Sequence, residues 1–188
     1  MNKFIGILLA ALVVVTAIVP GLNPRPAIGA TAAEIDRNVD SALKKLYAST
    51  PKAKELSKVA KGILVFPNVV KAGLIVGGQY GEGALRVGGN TVGYYNTVEA
   101  SYGLQAGGQS FGYALFFMND SALEYFENSA GFEIGSGPTV VLVDEGLAKS
   151  LSTSTIRDDI YALIFGQKGL MAGIGLRGSK ISKITPAK

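Results

Sequence analysis

Neither histidine nor cysteine occurs anywhere in the 188 residues. Their absence removes the Ser-His-Asp and Cys-His nucleophiles, the thiolate and imidazole zinc sites, and the usual near-neutral general base. It also excludes a disulfide framework and a cysteine-linked lipid anchor, so stability has to come from packing. The adjacent acid pairs are Asp144-Glu145 and Asp158-Asp159. Neighbours on a strand point to opposite faces, so neither pair converges on one substrate atom, and both read as loop or cap carboxylates. Glycine is plentiful, at 25 residues, yet there is no G-x-x-x-x-G-K-[ST] and no G-x-G-x-x-G between a strand and a helix. A nucleotide-phosphate loop is therefore not expected. No catalytic residue, metal site or cofactor follows from this composition.

Long apolar runs are missing too, apart from Phe4 to Val19. That run follows Lys3, falls short of the roughly 20 residues that span a bilayer core, and leads into a proline-containing segment with small residues at Ile28-Gly29-Ala30 and Ala30-Thr31-Ala32. Residues 1–30 read as a secretory signal cleaved near 30 to 32, and 31–188 as one domain, exported to a periplasm or medium and able to associate with a membrane. Residues 1–30 hold Lys3 and Arg25 and no acid, so their removal lowers the formal charge from +4 to +2. So small a net charge gives no reason to expect nucleic acid as a partner. Its distribution is more telling, because Lys44, Lys45, Lys52, Lys54, Lys58, Lys61 and Lys71 fall in one segment whose only acid is Glu55.

What is present divides into helical and strand-like grammar. Thr31 and Glu34 fit a capping box, and Ile35, Val39, Leu43 and Leu46 recur at helical spacing, so a first amphipathic helix is expected there. Thr50-Pro51 opens a second, short helix through about Val59. From Gly62 the residues turn β-branched and aromatic with glycine punctuation. Strands are expected at Ile63–Phe66, ended or bent by Pro67, then at Ala72–Tyr80, Ala84–Val87, Thr91–Val98, Ser101–Gly107 and Phe111–Met118. A short helix capped by Asp120-Ser121 and ended by Gly131 precedes further strands at Phe132–Ile134, Thr139–Val143, Ile160–Phe165 and Leu170–Leu176. The fold class is α+β, with N-terminal helices packed on a glycine-rich, largely antiparallel β-sheet or partial barrel. Gly73-x-x-x-Gly77-Gly78-Gln79 is echoed by Gly103-x-x-x-Gly107-Gly108-Gln109, which implies two similar strand pairs.

Several of these segments follow one another in a familiar order. Ala60-Lys61-Gly62-Ile63-Leu64-Val65-Phe66-Pro67 is followed by Lys71-Ala72-Gly73, by Gly77-Gly78-Gln79-Tyr80-Gly81-Glu82-Gly83, by Tyr94-Tyr95, by Ser101 to Gln109 and by Lys168-Gly169-Leu170-Met171-Ala172-Gly173. The chain resembles SYLF-domain proteins over essentially all of residues 31–188. The resemblance implies binding of phosphoinositides or other anionic phospholipids through a basic, amphipathic N-terminal helical part. Eukaryotic relatives also bind actin, which an exported product would not meet. Gly166-Gln167 stands where relatives commonly carry a serine before Lys-Gly-Leu.

The expected function is that of an exported, non-enzymatic protein recognising anionic phospholipid head groups or a membrane surface. Lys44, Lys45, Lys52, Lys54, Lys58 and Lys61 form the head-group-attracting set, and Ile35, Val39, Leu43 and Leu46 the stripe that either inserts into lipid or faces the core. The alternative is a structural or partner-binding cell-envelope protein without lipid specificity.

Overall fold

The computed structural model describes residues 29–73, 76–102, 107–143, 157–169 and 175–188. Residues 1–28 of the proposed leader, Asp144-Glu145, Gly103 and most of the expected strand at 170–176 lie outside the described residues. Two helices, α1 (Ala32–Ser49) and α2 (Pro51–Val59), precede the strands β1 (Gly62–Gly73), β2 (Val76–Val87), β3 (Asn90–Tyr102) and β4 (Gly107–Phe117). Helix α3 (Asp120–Asn128) leads to β5 (Phe132–Glu133), β6 (Val140–Val143), β7 (Ile160–Gly169) and β8 (Lys180–Ile184). The strands form one curled half-barrel sheet in the order β5-β8-β3-β2-β1-β4-β7-β6, antiparallel except where β6 runs parallel to β7.

The helix starts follow local chemistry. Thr31 Oγ1 accepts from the Glu34 amide at 3.3 Å while the Glu34 carboxylate accepts from the Thr31 amide at 2.8 Å, so the capping box is complete. These bonds favour the ionised Glu34, whose pKa is lowered first by the backbone bond and then by the Thr31 hydroxyl. Pro51 opens α2, where its missing N–H costs nothing. The third helix is capped by Asn119, one residue earlier than expected: its side chain accepts from the Ala122 amide at 2.8 Å.

Of the two outcomes expected at Pro67, the strand is bent by a bulge rather than ended. β1 continues through it to Gly73, and the register with both neighbours shifts between Val65 and Val69. A bulge absorbs the residue that cannot donate to the ladder. Consequently the expected strand at Ala72–Tyr80 is split, with Ala72-Gly73 closing β1 and Val76 opening β2. Gly73 and Gly77 are thus not four apart on one strand but opposite each other across a hairpin, and a Cβ on Gly73 would collide with the Gly77 backbone. Ala84–Val87 proves to be the far end of β2, and β3 runs unbroken through Asn90–Tyr102. The two-residue connection Gly88-Gly89 between them has positive φ at both positions, as a tight hairpin turn requires. β8 was not anticipated from sequence.

Two cores sandwich the sheet. Ile63, Val65, Ala84, Ala114 and Phe116 meet α1 and α2 on one face. Leu64, Phe66, Leu85, Tyr113 and Phe117 meet α3 and the inner wall of the curl on the other. Each fully buried Leu or Phe contributes about 1.5–3 kcal/mol relative to exposure.

Candidate functional site

Helix α1 sets the geometry of the first candidate site. Ile35, Val39 and Leu46 are buried against the sheet and Leu43 packs beside them, half-buried. Of the two readings of this stripe, the structure therefore gives the core-facing one, and these side chains reach lipid only if α1 leaves the sheet. One flank of α1 is tied down electrostatically: the Arg86 guanidinium lies 3.3 Å from an Asp36 oxygen and 2.8 Å from one of Asp40, while Thr91 and Tyr94 donate to Asp36 at 2.7 and 2.9 Å. Burial, and then the Asp36 carboxylate, raises the Tyr94 phenol above its ordinary value.

The other flank opens onto a groove of about 960 Å³ between α1 and the sheet. Val70 and the half-buried Phe165 contribute apolar walls, and Lys45 and Lys168 add exposed cations. Glu82 also lines it, with its carboxylate engaged by the Ala30 amide at 2.9 Å and the Tyr80 hydroxyl at 2.7 Å. Burial and then Glu82 push the Tyr80 phenol up to about 12, so it is neutral at physiological pH.

The other expected lysines do not converge there. Lys58 and Lys61 line a smaller hollow of about 410 Å³ that also contains Asp40 and Arg86. Lys61 pairs with Asp120 at 3.3 Å and Lys52 with Glu55 at 2.5 Å. Lys44 and Lys54 are exposed; helical rotation sets Lys44 on the side of α1 opposite the buried stripe.

Lys71 belongs to a different place altogether. It is buried inside the curl, 3.0 Å from Glu99, which also accepts from the Ser179 hydroxyl at 3.0 Å. Register makes Gln79 and Gln109 its cross-strand neighbours on either side, with Gln79 next to Glu99. The echoed Gly-Gly-Gln triplets are thus the two flanks of β1, and their glutamines sandwich one buried lysine. Gln79 Nε2 donates to Ser179 at 3.3 Å, while Gln79 Oε1 and Gln109 Nε2 are buried without a partner among the described residues. Sequence reasoning missed this polar row, although the echo was its signal.

Asp158 and Asp159 have structural partners. Asp159 accepts from Asn119 at 2.9 Å and from the Thr139 amide at 3.0 Å, and these bonds, the Asn119 one first, lower its pKa. Asp158 accepts from the Tyr161 hydroxyl at 3.1 Å. No helix among the described residues is long and apolar enough to cross a membrane.

Residues 98–187 match the family model Ysc84, described as Las17-binding protein actin regulator, and this match places that stretch in the SYLF-domain family that the motifs resemble. The matched stretch starts inside β3, so α1, α2, β1 and β2, with the Ala60-to-Pro67 and Gly77-to-Gly83 motifs, precede it. A comparison with curated proteins finds no match.

Proposed function

We propose that the chain is a non-enzymatic binding protein for anionic lipid head groups, exported through its N-terminal apolar segment. The observation that carries the lipid reading is the groove beside α1, where apolar walls from Val70 and Phe165 stand next to the cations of Lys45 and Lys168. That pairing suits an amphiphile with a negative head. Lys44, Lys54 and Lys58 add long-range attraction to a negatively charged surface, each worth on the order of 1 kcal/mol near it.

Co-sedimentation with vesicles tests the reading. Anionic vesicles should retain the protein, neutral ones should not, and binding should weaken as salt rises. Charge reversal by Lys45→Glu with Lys168→Glu should cost the largest share, and the set Lys52→Glu, Lys54→Glu, Lys58→Glu a smaller one, both without unfolding. Equal, salt-insensitive partitioning contradicts a head-group site. The family description favours a second reading, a protein partner; saturable capture by a protein with no vesicle binding would select it. N-terminal sequencing of the product recovered outside the cytoplasm, beginning near residue 30 to 32, checks export.

A further inference from the structure

At one end of the sheet the alternation of side chains is inverted. Lys71, Gln79, Glu99 and Gln109 point into the curl, whereas the residues between them along the strands point out. One row of directly paired positions runs Lys168, Ser110, Val70, Tyr80, Val98, Lys180 across six strands. Directly paired residues share a face, so the row is a continuous surface. Its centre is about half exposed: Val70 51 %, Tyr80 50 % and Val98 44 %, with Val76 at 68 % farther along β2. A second row, Gly108, Ala72, Gly78 and Ala100, is exposed and carries no polar side chain.

This surface is the same face that α1 and α2 cover at the other end, since Ala84 under the helix and Tyr80 beyond it lie an even number of residues apart on β2. The helices stop near Glu82, where the chain enters through Ala30, and the rest of the face is bare among the described residues. A strand face that is apolar outward and polar inward is the alternation of a sheet whose outer side meets hydrocarbon. The two ends of the row add lysines. Glu82 stands at the helix border with both oxygens engaged, and Glu133 lies past Lys180 on β5.

We propose that this bare face is a docking surface for an anionic lipid bilayer, with Val70, Val76, Tyr80 and Val98 entering the interfacial region and Lys168 and Lys180 meeting head groups on either side. It deepens the lipid reading above and rests on it: the groove beside α1 borders the face through Val70 and Tyr80, so a head group held at Lys45 and Lys168 lies next to the bilayer the face would rest on. The neutral Tyr80 phenol suits the interface.

The chain has no tryptophan, so a single one reports its own surroundings. Full-length Tyr80→Trp is mixed with anionic vesicles carrying brominated lipid, with Val98→Trp as a second reporter on the same row. Tyr125→Trp is the control, because Tyr125 is equally exposed but sits on α3, which packs on the other face of the sheet. Emission from Tyr80→Trp and Val98→Trp should shift to the blue and be quenched by the bromines, and Tyr125→Trp should do neither. Unshifted, unquenched reporters on protein that does sediment with the vesicles overturn the docking face and leave the lipid reading standing. A failure of the unsubstituted protein to sediment overturns both. Reporters already blue-shifted in a lipid-free dimer overturn the proposal by giving the face to a second copy of the chain.

Discussion

The two ends of one sheet are built on opposite rules. At the helix-covered end both sides are apolar: Val65 and Phe116 face α1 and α2, while Leu64 and Phe117 face α3 and the inner wall. At the bare end a lysine and two glutamines are enclosed beside a largely covered glutamate, and Val70, Val76 and Val98 are outside. A face in contact with water is normally not dominated by apolar side chains, so the covered end explains why the protein folds, and the bare end carries the bilayer contact proposed above. The difference also separates stability from function. Substitutions at the covered end should change the first, and substitutions on the outer surface of the bare end only the second.

The enclosed ion pair gives the largest break. Lys71→Met leaves the largely covered Glu99 without its cation and should destabilise the fold by up to about 3–5 kcal/mol, whereas Lys71→Met with Glu99→Met should recover most of that loss. Denaturant unfolding of the two variants checks the asymmetry. Next comes Leu46→Ala at the covered end, expected to cost about 2–5 kcal/mol because the void lies between a helix and a sheet that cannot collapse fully. Removing the capping hydroxyl with Thr31→Ala should cost about 1 kcal/mol.

Asp159 sharpens the comparison through pH. Its folded pKa is lowered by Asn119 and the Thr139 amide, so its contribution is fully present above the ordinary carboxylate value of 3.8 and is lost as pH falls through the lower folded value. Asp159→Asn should therefore flatten stability against pH in the acid range without altering vesicle binding near neutrality, as read by acid titration of the unfolding signal. The smallest effect on stability is expected at the bare end, where Val98→Ala should stay within about 0.5 kcal/mol.

Much of the covered end was legible in the sequence because its signals are local. The Thr31 and Glu34 pair marks a helix start within four residues, and Ile35, Val39 and Leu46 repeat at helical spacing whatever surrounds them. The bare end depends on register, which no local pattern contains. Pro67 looks like a terminator unless a bulge lets the strand continue, and without that continuation Lys71 cannot be placed opposite Gln79 and Gln109. Lys71 was consequently grouped with the exposed lysines of the basic segment, although the curl buries it beside Glu99. The bare valines were hidden by a correct general expectation, that alternating strands turn their apolar side inward, which is reversed here. The echoed Gly-Gly-Gln triplet was visible, but the axis that relates its two copies is β1, and only the paired strands reveal it.

Vesicle binding by the double variant Val70→Asp with Val98→Asp tests the contrast between the two ends most directly, with its unfolding transition recorded alongside. The prediction is an unfolding midpoint close to that of the unsubstituted protein and binding to anionic vesicles weakened about tenfold or more. Undiminished binding at unchanged stability would contradict a bilayer seated on the bare face.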